Sequence, residues 1–321
     1  MKLLYMSPRL DIGFKPDHVP EKEGPPNHPV RLFYVEFEKR LVEFANKYNH
    51  ELIISKKPMW EFKPSDVEEH NADFGFMAHR EKHDFPHDRI FYCMQMGLPW
   101  LFSIDRQGWC AGASDWPLQY ENDNTPNTNL IELKETMVSQ NISKFQQNPN
   151  KIDLPKEFIL FTAQLPHDTT ISNHSNVSVN EALIKTLEFG KRINVPVVAK
   201  GHPINLGSMR PLIDTFKKYG KIGDIWTDGA NIHQCLEECS ALFTVNSGGT
   251  GLEAIIHEKP IFIFGRADYQ SIALNGENAD ELWNERDKMI KCYPSFMEKY
   301  YNTRYHVAIS ESFNKLENLL C

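Results

Sequence analysis

No run of apolar residues in this 321-residue chain approaches the ~20 needed to cross a bilayer, so an integral membrane protein is not expected. There is no disulfide framework either. The six cysteines (Cys93, Cys110, Cys235, Cys239, Cys292, Cys321) are scattered, and none forms a CxxC pair. They read as reduced thiols of a cytoplasmic protein, and the i, i+4 pair Cys235/Cys239 as ordinary buried packing. Positive charge is not in excess: the formal net charge of −8 argues against nucleic-acid binding as the main activity. HExxH is absent, as are the GxSxG elbow, the GxxxxGK(S/T) loop and the GxGxxG fingerprint. Zincin, α/β-hydrolase, P-loop and dinucleotide-binding readings therefore lose support. His79, His83 and His87 recur every four residues, as the ligands of a helical metal site would, but Pro86 interrupts that helix, and no metal or other cofactor is expected. Met1–Met6 opens a strand rather than a secretory leader, because proline and charge follow at once.

What is present is a globular composition, 41% hydrophobic and 24% charged, in a chain long enough for two domains. In the first half, strands are expected at Lys2–Met6, Leu52–Ser55, Asp73–Ala78 and Leu98–Ile104, and an amphipathic helix at Pro29–Tyr48. Asp88–Met96 fits helix or strand. A proline- and glycine-rich loop runs from Ser7 to about Asn27, a length typical of functional lids or of disordered segments. A polar tract follows Asp115, with a helix from about Leu130 to Phe145. The interdomain linker is placed near Gln146–Pro155, giving domains 1–150 and 151–321, with the last helix packing back on the first. The second half alternates more clearly: strands at Phe158–Ala163, Pro196–Lys200, Ile222–Trp226, Ala241–Val245 and Pro260–Gly265, and helices at Asn180–Ile193, Met209–Tyr219, Ile232–Cys239 and Leu252–His257. Alternation of this kind builds a parallel sheet.

Three strand ends carry unusual residues: Gln164-Leu165-Pro166-His167-Asp168, Lys200-Gly201-His202-Pro203, and Asn246-Ser247-Gly248-Gly249-Thr250-Gly251-Leu252-Glu253. In a parallel sheet these ends share one edge, where α/β proteins bind ligands. Glycines let the backbone approach closely, and a helix N-terminus with the hydroxyls of Ser247 and Thr250 suits a phosphate. His202 can donate a hydrogen bond or a positive charge to a phosphate oxygen; a lone histidine is otherwise a satisfied structural residue. Glu253 can accept from ribose hydroxyls or simply oppose the helix dipole. Asp168 is a general base, a nucleophile at a sugar carbon, or a turn cap. Asp105 ends a strand of the first half and can face Asp168 across an interdomain cleft, as a second carboxylate at a glycosyl centre. Lys200, His202, Arg210 and Arg266 are candidates for positive charge near the strand ends.

These motifs, in this order, resemble the capsule polysaccharide biosynthesis family of bacterial transferases that use CMP-activated 3-deoxy-D-manno-octulosonic acid (Kdo). The resemblance runs from Phe158 to Tyr269 through Gln164…Asp168, Lys200-x-His202-Pro203, Asn246-Ser247-x-x-x-Gly251-Leu252-Glu253-Ala254, Lys259-Pro260 and Gly265-x-x-x-Tyr269. CMP-sialic acid transferases and CDP-glycerol polymerases look similar. The resemblance implies a GT-B-like α/β fold, two Rossmann-like domains with parallel sheets facing a central cleft, and metal-independent transfer with the acceptor on the first domain. It implies that His202 and Ser247 bind the CMP phosphate, that Glu253 serves the nucleotide side, and that Asp168 is the catalytic carboxylate. In the first half, Leu98–Trp109 departs from the family's acidic motif, with Asp105 and Gly108 in the corresponding places.

The expected activity is transfer of an acidic, Kdo-like sugar from a CMP donor to a surface-polysaccharide or glycolipid acceptor. The expected setting is cytoplasmic, with peripheral contact at the inner membrane face where the acceptor is lipid-linked. The alternatives are a GT-B transferase with another donor (CDP-glycerol or a UDP-sugar) and a noncatalytic nucleotide- or carbohydrate-binding protein. Retention would make Asp168 the nucleophile, inversion the base.

Overall fold

The computed structural model describes residues 1–8, 29–121, 129–203 and 206–320. The chain forms two compact units, residues 1–116 with 301–321, and residues 117–300. The loop expected beyond Ser7 lies, past Pro8, outside the described residues.

In the first unit the chain runs β1 (Lys2–Pro8), α1 (Pro29–Lys47), β2 (Glu51–Lys57), α2 (Asp66–Glu69), β3 (Phe74–Ala78), β4 (Ile90–Gln95) and β5 (Leu101–Asp105). The segment 301–321 adds β12 (Tyr305–His306) and α11 (Lys315–Leu320). The sheet order is β12-β5-β4-β3-β1-β2. Strand β1 lies between β2 and β3 in parallel, Leu3 opposite Leu52 on one side and Phe74 on the other. The expected all-parallel sheet is corrected here: β5 runs antiparallel to β4, and β12 antiparallel to β5. Only Met96–Trp100 joins β4 to β5, too short for the helical crossover that a parallel pair needs. An aromatic chain fills the core. Tyr5 meets Phe37 at 5.1 Å, Phe37 meets Phe102 at 5.3 Å, and Phe102 meets Phe313 at 5.1 Å between centroids. Such pairs add ~0.5–1.5 kcal/mol each beyond area burial.

The second unit contains α3 (Leu130–Ser139), β6 (Ile159–Thr162), α4 (Thr169–His174), α5 (Val179–Arg192), β7 (Val197–Lys200), α6 (Leu206–Tyr219), β8 (Ile225–Thr227), α7 (Ile232–Glu238), β9 (Ala241–Thr244), α8 (Gly248–Ile256), β10 (Ile261–Ile263), β11 (Leu274–Asn275) and α9 (Ala279–Leu282), followed by α10 (Tyr293–Thr303). Its sheet, β11-β10-β9-β6-β7-β8, is parallel throughout. The inner strands β6, β7, β9 and β10 are short, apolar at their centres and fully buried, as strands covered on both faces must be. Helix α5 is fixed at its start by a capping box between Ser178 and Glu181. Leu183 and Leu187 of α5, and Met209 and Leu212 of α6, join the sheet side chains Phe161 and Phe243 in one buried cluster. The chain thus carries two Rossmann-like sheets with flanking helices, the composition of a GT-B-like architecture.

The division of the chain differs from the one read from composition. Residues 117–150 group with the second unit, and the tract at 146–155 lies inside it. The polar residues that suggest a linker are bonded to α7. Asn231 Nδ2 donates to Asn141 Oδ1 at 2.9 Å and to the Asn148 carbonyl at 2.9 Å, and the Ile232 N–H donates to Gln147 Oε1 at 3.2 Å. Residues 79–87 are turns rather than a helix, with His79 at φ 56° and the His87 Nε2 2.9 Å from Glu68 Oε1. Among the described residues no group of three or more His, Cys, Asp or Glu side chains is placed to hold a metal ion, and no helix is long and apolar enough to cross a membrane.

Candidate functional site

The strand order of the second sheet reverses between β6 and β9, so the crossovers leave that pair in opposite directions and open a crevice at their carboxyl ends. The first polar residues beyond those ends are Gln164 and Asn246, and they bond each other. Gln164 Nε2 donates to Asn246 Oδ1 at 2.9 Å, and the Asn246 backbone N–H donates to Gln164 Oε1 at 2.9 Å. Thr244 Oγ1 donates to the same oxygen at 3.3 Å, and Asn246 Nδ2 donates to the Thr170 carbonyl at 2.8 Å. Both amides are buried, at 7% and 4% exposure. A buried amide left unmatched costs ~1–3 kcal/mol, so this closed set holds β6, β9 and the start of α4 in register. Thr162 and Thr250 add a hydroxyl pair at 3.0 Å from β6 to α8.

Asn246 leads directly into α8. Ser247 is its N-cap, with φ −63° and ψ 110°, yet its hydroxyl caps no backbone N–H. The first N–H groups of α8, at Gly248 and Gly249, and the Ser247 hydroxyl make an uncapped, half-exposed helix terminus. Free N–H groups and the positive end of the helix dipole favour an anion there. The turn is braced from behind. Tyr269, fully buried, donates its hydroxyl to the Ser247 carbonyl at 2.7 Å. Its ring lies against Gly251, where a Cβ would fall 2.1 Å from a ring carbon. The two outlying residues of the Gly251…Tyr269 pattern are one contact.

The third strand end brings positive charge. Lys200 closes β7, buried at 6% exposure, and burial pushes its pKa down while Cys235, Glu253 and Asp228 oppose that shift. Gly201 has no room for a side chain, since a Cβ would sit 2.1 Å from Asp228 Oδ1. His202 follows, its ring 5.2 Å from that of Phe145 at 66°. Burial pushes the His202 pKa down to about 4; the Asp168 carboxylate pulls it up, and Lys200 and Lys144 push it down. His202 is therefore neutral at pH 7, an imidazole that can take part in a hydrogen bond but carries no positive charge. Pro203 is exposed, and residues 204 and 205 lie outside the described part.

Glu253, one turn into α8, is 2% exposed, and its Oε1 has no hydrogen-bond partner. Burial raises its pKa to about 7, against a hydrogen bond from Ser143, the charge of Lys200 and the Lys144 backbone N–H. The group covering it is the segment Ser143-Lys144-Phe145, expected as the end of a helix running to Phe145, whereas α3 stops at Ser139. Gln147 Nε2 holds the Phe145 carbonyl at 2.8 Å, and His233 Nε2 lies 2.7 Å from the Ile142 carbonyl. Lys144 and Phe145 lie within the segment expected as helix, and only their basic and aromatic character beside a polar tract could have marked them out. Thr162, the other residue missed, lies in a strand interior pattern that offered no signal at all.

The carboxylates divide. Asp168 caps α4: its Oδ1 accepts from the Thr170 N–H at 3.0 Å and from the Thr170 hydroxyl at 2.9 Å. Its charge also reaches His202. Asp105 belongs to the first unit and holds its own loop. Its Oδ1 accepts from the N–H groups of Gln107 at 2.7 Å, Gly108 at 3.2 Å and Ser114 at 3.0 Å, and its Oδ2 from the Ser114 hydroxyl. Because β5 is antiparallel, Asp105 is paired with Tyr92 near the start of β4, at the edge opposite the carboxyl ends of β1, β3 and β4. The structure therefore gathers Gln164, Asp168, Lys200, His202, Asn246, Ser247, Gly248, Thr250, Gly251 and Glu253 around one sheet edge, and it does not bring Asp105 to the corresponding edge of its own sheet.

A family profile described as "Capsule polysaccharide biosynthesis protein" matches residues 122–305, more than half of the chain and nearly all of the second unit. The chain is 28% identical over 125 residues to the "Capsule polysaccharide export protein KpsS" of Escherichia coli, an alignment covering 36% of this chain and 32% of that protein. It thus spans about a third of that relative's length. Among solved structures, the β-Kdo 2,7-transferase part of KpsC from Thermosulfurimonas dismutans is 13% identical with a TM-score of 0.49, over 86% of this chain and 82% of that one. The β-Kdo 2,4-transferase part of the same protein is 13% identical with a TM-score of 0.48, over 81% and 87%.

Proposed function

Because the chain belongs to the capsule polysaccharide biosynthesis protein family, we propose that it is a glycosyltransferase that moves a sugar from a nucleotide-activated donor to a saccharide or glycolipid acceptor. The observation that carries the reading is the uncapped terminus of α8, set at the reversal of the sheet by the Gln164–Asn246 pair and flanked by Lys200, His202 and Glu253. In this reading the donor phosphate sits on the N–H groups of Gly248 and Gly249 and the Ser247 hydroxyl. His202, neutral, donates a hydrogen bond to the same group, and Lys200 balances the charge that grows as the phosphate departs. Glu253 takes the ribose hydroxyls once Ser143 and Lys144 give way. Asp168 serves the sugar carbon or the acceptor hydroxyl, its cap to α4 fixing its direction.

The finer form of the proposal is a CMP donor carrying an acidic, Kdo-like sugar. It draws on the Lys-x-His-Pro and Asn-Ser-x-x-x-Gly-Leu-Glu pattern and on Lys200 as a buried cation. A UDP-sugar or CDP-glycerol donor would use the same phosphate and ribose contacts, and a noncatalytic binder would use them without turnover. Thermal unfolding with CMP, CDP, UMP and UDP, each with and without EDTA, separates these. A ligand at 100 times its Kd stabilises by ~2.7 kcal/mol. The expected result is a CMP-selective rise that survives EDTA and disappears in His202→Ala. A UDP-selective rise reassigns the donor, and no rise with any nucleotide removes the transferase reading.

Asp168 is tested by comparing two substitutions. Asp168→Ala loses the cap, worth ~1 kcal/mol, whereas Asp168→Asn retains an acceptor oxygen for Thr170. If Asp168 is the catalytic carboxylate, Asp168→Asn melts like the wild type and loses at least ~100-fold in kcat. Wild-type turnover in Asp168→Asn would leave it as a helix cap alone.

A further inference from the structure

Glu253 cannot reach a ligand as it stands. It is 2% exposed, and its Oε1 is buried without a hydrogen-bond partner, so the Ser143 hydroxyl and the Lys144 N–H both fall to Oε2. The residues that cover it belong to a strap, 141–148, that is part of no helix or strand and leaves the end of α3 through Asn141, at φ 51°. Phe145 of the strap lies edge-on to His202, ring to ring at 5.2 Å.

Side chains, rather than a backbone ladder, hold the strap. Within it, Asn141 Nδ2 donates to the Gln147 carbonyl at 3.0 Å, and Gln147 Nε2 to the Phe145 carbonyl at 2.8 Å. Outside it, the Ile232 N–H donates to Gln147 Oε1, and Asn231 Nδ2 holds Asn141 and Asn148. A third tie runs through two buried histidines. The Ile142 carbonyl can only accept, so His233 Nε2, 2.7 Å away, carries the proton. Burial keeps His233 neutral, so its Nδ1 accepts from His257 Nε2 at 3.1 Å. His257 caps the far end of α8. The strap thus grips α8 at both ends, at Glu253 near its start and through His257 at its finish. A segment held in this way opens at less cost than a packed helix or strand.

We infer that the strap shuts the nucleotide subsite of the empty protein and is lifted from Glu253 when a nucleoside monophosphate binds, so that the strength of its clasp sets the affinity for nucleotide. The inference rests on the assignment of Glu253 to the ribose hydroxyls. A ligand that needs a minor state of the protein binds more weakly in proportion to that state's population. Loosening the clasp therefore tightens binding, the opposite of what losing a ligand-contacting residue does.

The test uses the full chain, calorimetry with CMP and with UMP, and limited trypsin digestion read by mass spectrometry at the Lys144–Phe145 bond. Ser143→Ala removes one donor to Glu253, and Gln147→Ala removes the inner brace; each tightens binding of the preferred nucleotide about 5-fold. The same nucleotide speeds cleavage after Lys144 in the wild type. Ser143 is half-exposed, so its variant reads the strap even if Gln147→Ala does not fold. Binding that appears only in the variants is the same effect at its limit. Unchanged or weaker binding in Ser143→Ala, or slower cleavage after Lys144 with nucleotide present, overturns the inference and leaves the donor reading standing. If neither nucleotide binds the wild type or Ser143→Ala, both readings fall.

Discussion

Gly251→Ala is expected to lower the stability of the second unit by ~3 kcal/mol, a fall on the order of 10 °C in its thermal transition. Two effects oppose each other. Alanine is the better helix former by ~1 kcal/mol, which alone would stabilise α8. Its methyl group would fall 2.1 Å from the Tyr269 ring, and that ring is fully buried and anchored to the Ser247 carbonyl. An overlap of this size cannot be relieved by a rotamer change, so overpacking wins. Relief requires Tyr269 to leave, which releases the Ser247 turn, and nucleotide-dependent stabilisation should vanish with it. The double variant Gly251→Ala/Tyr269→Ala isolates the contact: removing the ring should cost far less in the alanine background than in the wild type. Additive losses would show that the two residues are not pressed together. Tyr269→Phe keeps the ring and loses the bond to the Ser247 carbonyl, and should cost ~1 kcal/mol.

The second large effect is a pH dependence set by Glu253. Its pKa is about 7 in the folded protein and 4.5 in an unfolded reference, and burial is the first cause. Below pH 4.5 the group is protonated in both states and contributes no difference. As pH rises from 4.5 to 7 the unfolded chain releases its proton while the folded protein keeps it, so stability falls, by up to about 3 kcal/mol in total. Above pH 7 this cost is constant. Glu253→Gln removes the titration. The difference in unfolding free energy between variant and wild type, measured in denaturant from pH 4.5 to 8, should grow in favour of the variant up to about pH 7 and then level off. His202 and His257 titrate alike in both proteins and cancel from that difference. The same variant should bind nucleotide more weakly, since a carboxylate accepts ribose hydroxyls through both oxygens. A residue that destabilises the fold while serving a ligand is one that packing alone would not retain. A difference that does not change with pH would mean that the Glu253 carboxylate is solvated.

Much of this was legible in the residues. The three strand ends were readable because short apolar runs ended in Gln164, Lys200 and Asn246, and a parallel sheet places such ends together whatever their separation in sequence. The Gln164–Asn246 bond itself was not, because it depends on the strand order, and nothing local says that β9 lies beside β6 rather than at the far edge. Asp105 was misplaced for a related reason: a strand looks the same in either direction, and only the short Met96–Trp100 connection marks β5 as antiparallel. The roles of Asn141, Gln147 and Asn148 were hidden by composition. Asn141 fell in the helix expected to Phe145, and Gln147 and Asn148, which wrap the N-terminus of α7 with it, look like a linker until their partners are known. The charge state of His202 was equally out of reach, since it follows from burial beside Phe145 and from the lysines around it.

The segment 301–321 gives the chain an order of assembly. Residues 117–300 are continuous, so the second unit can fold as soon as it has left the ribosome. The first unit is made earlier and completed later. Until Tyr305 and His306 pair with Phe102 and Leu101, β5 is a bare edge, and until Phe313 arrives the Phe37 and Phe102 rings lack a wall of their packing. A chain ending before Tyr301 would lack β12 and Phe313, leaving the edge of β5 bare and the Phe102 ring without that packing partner, although residues 1–116 would all be present.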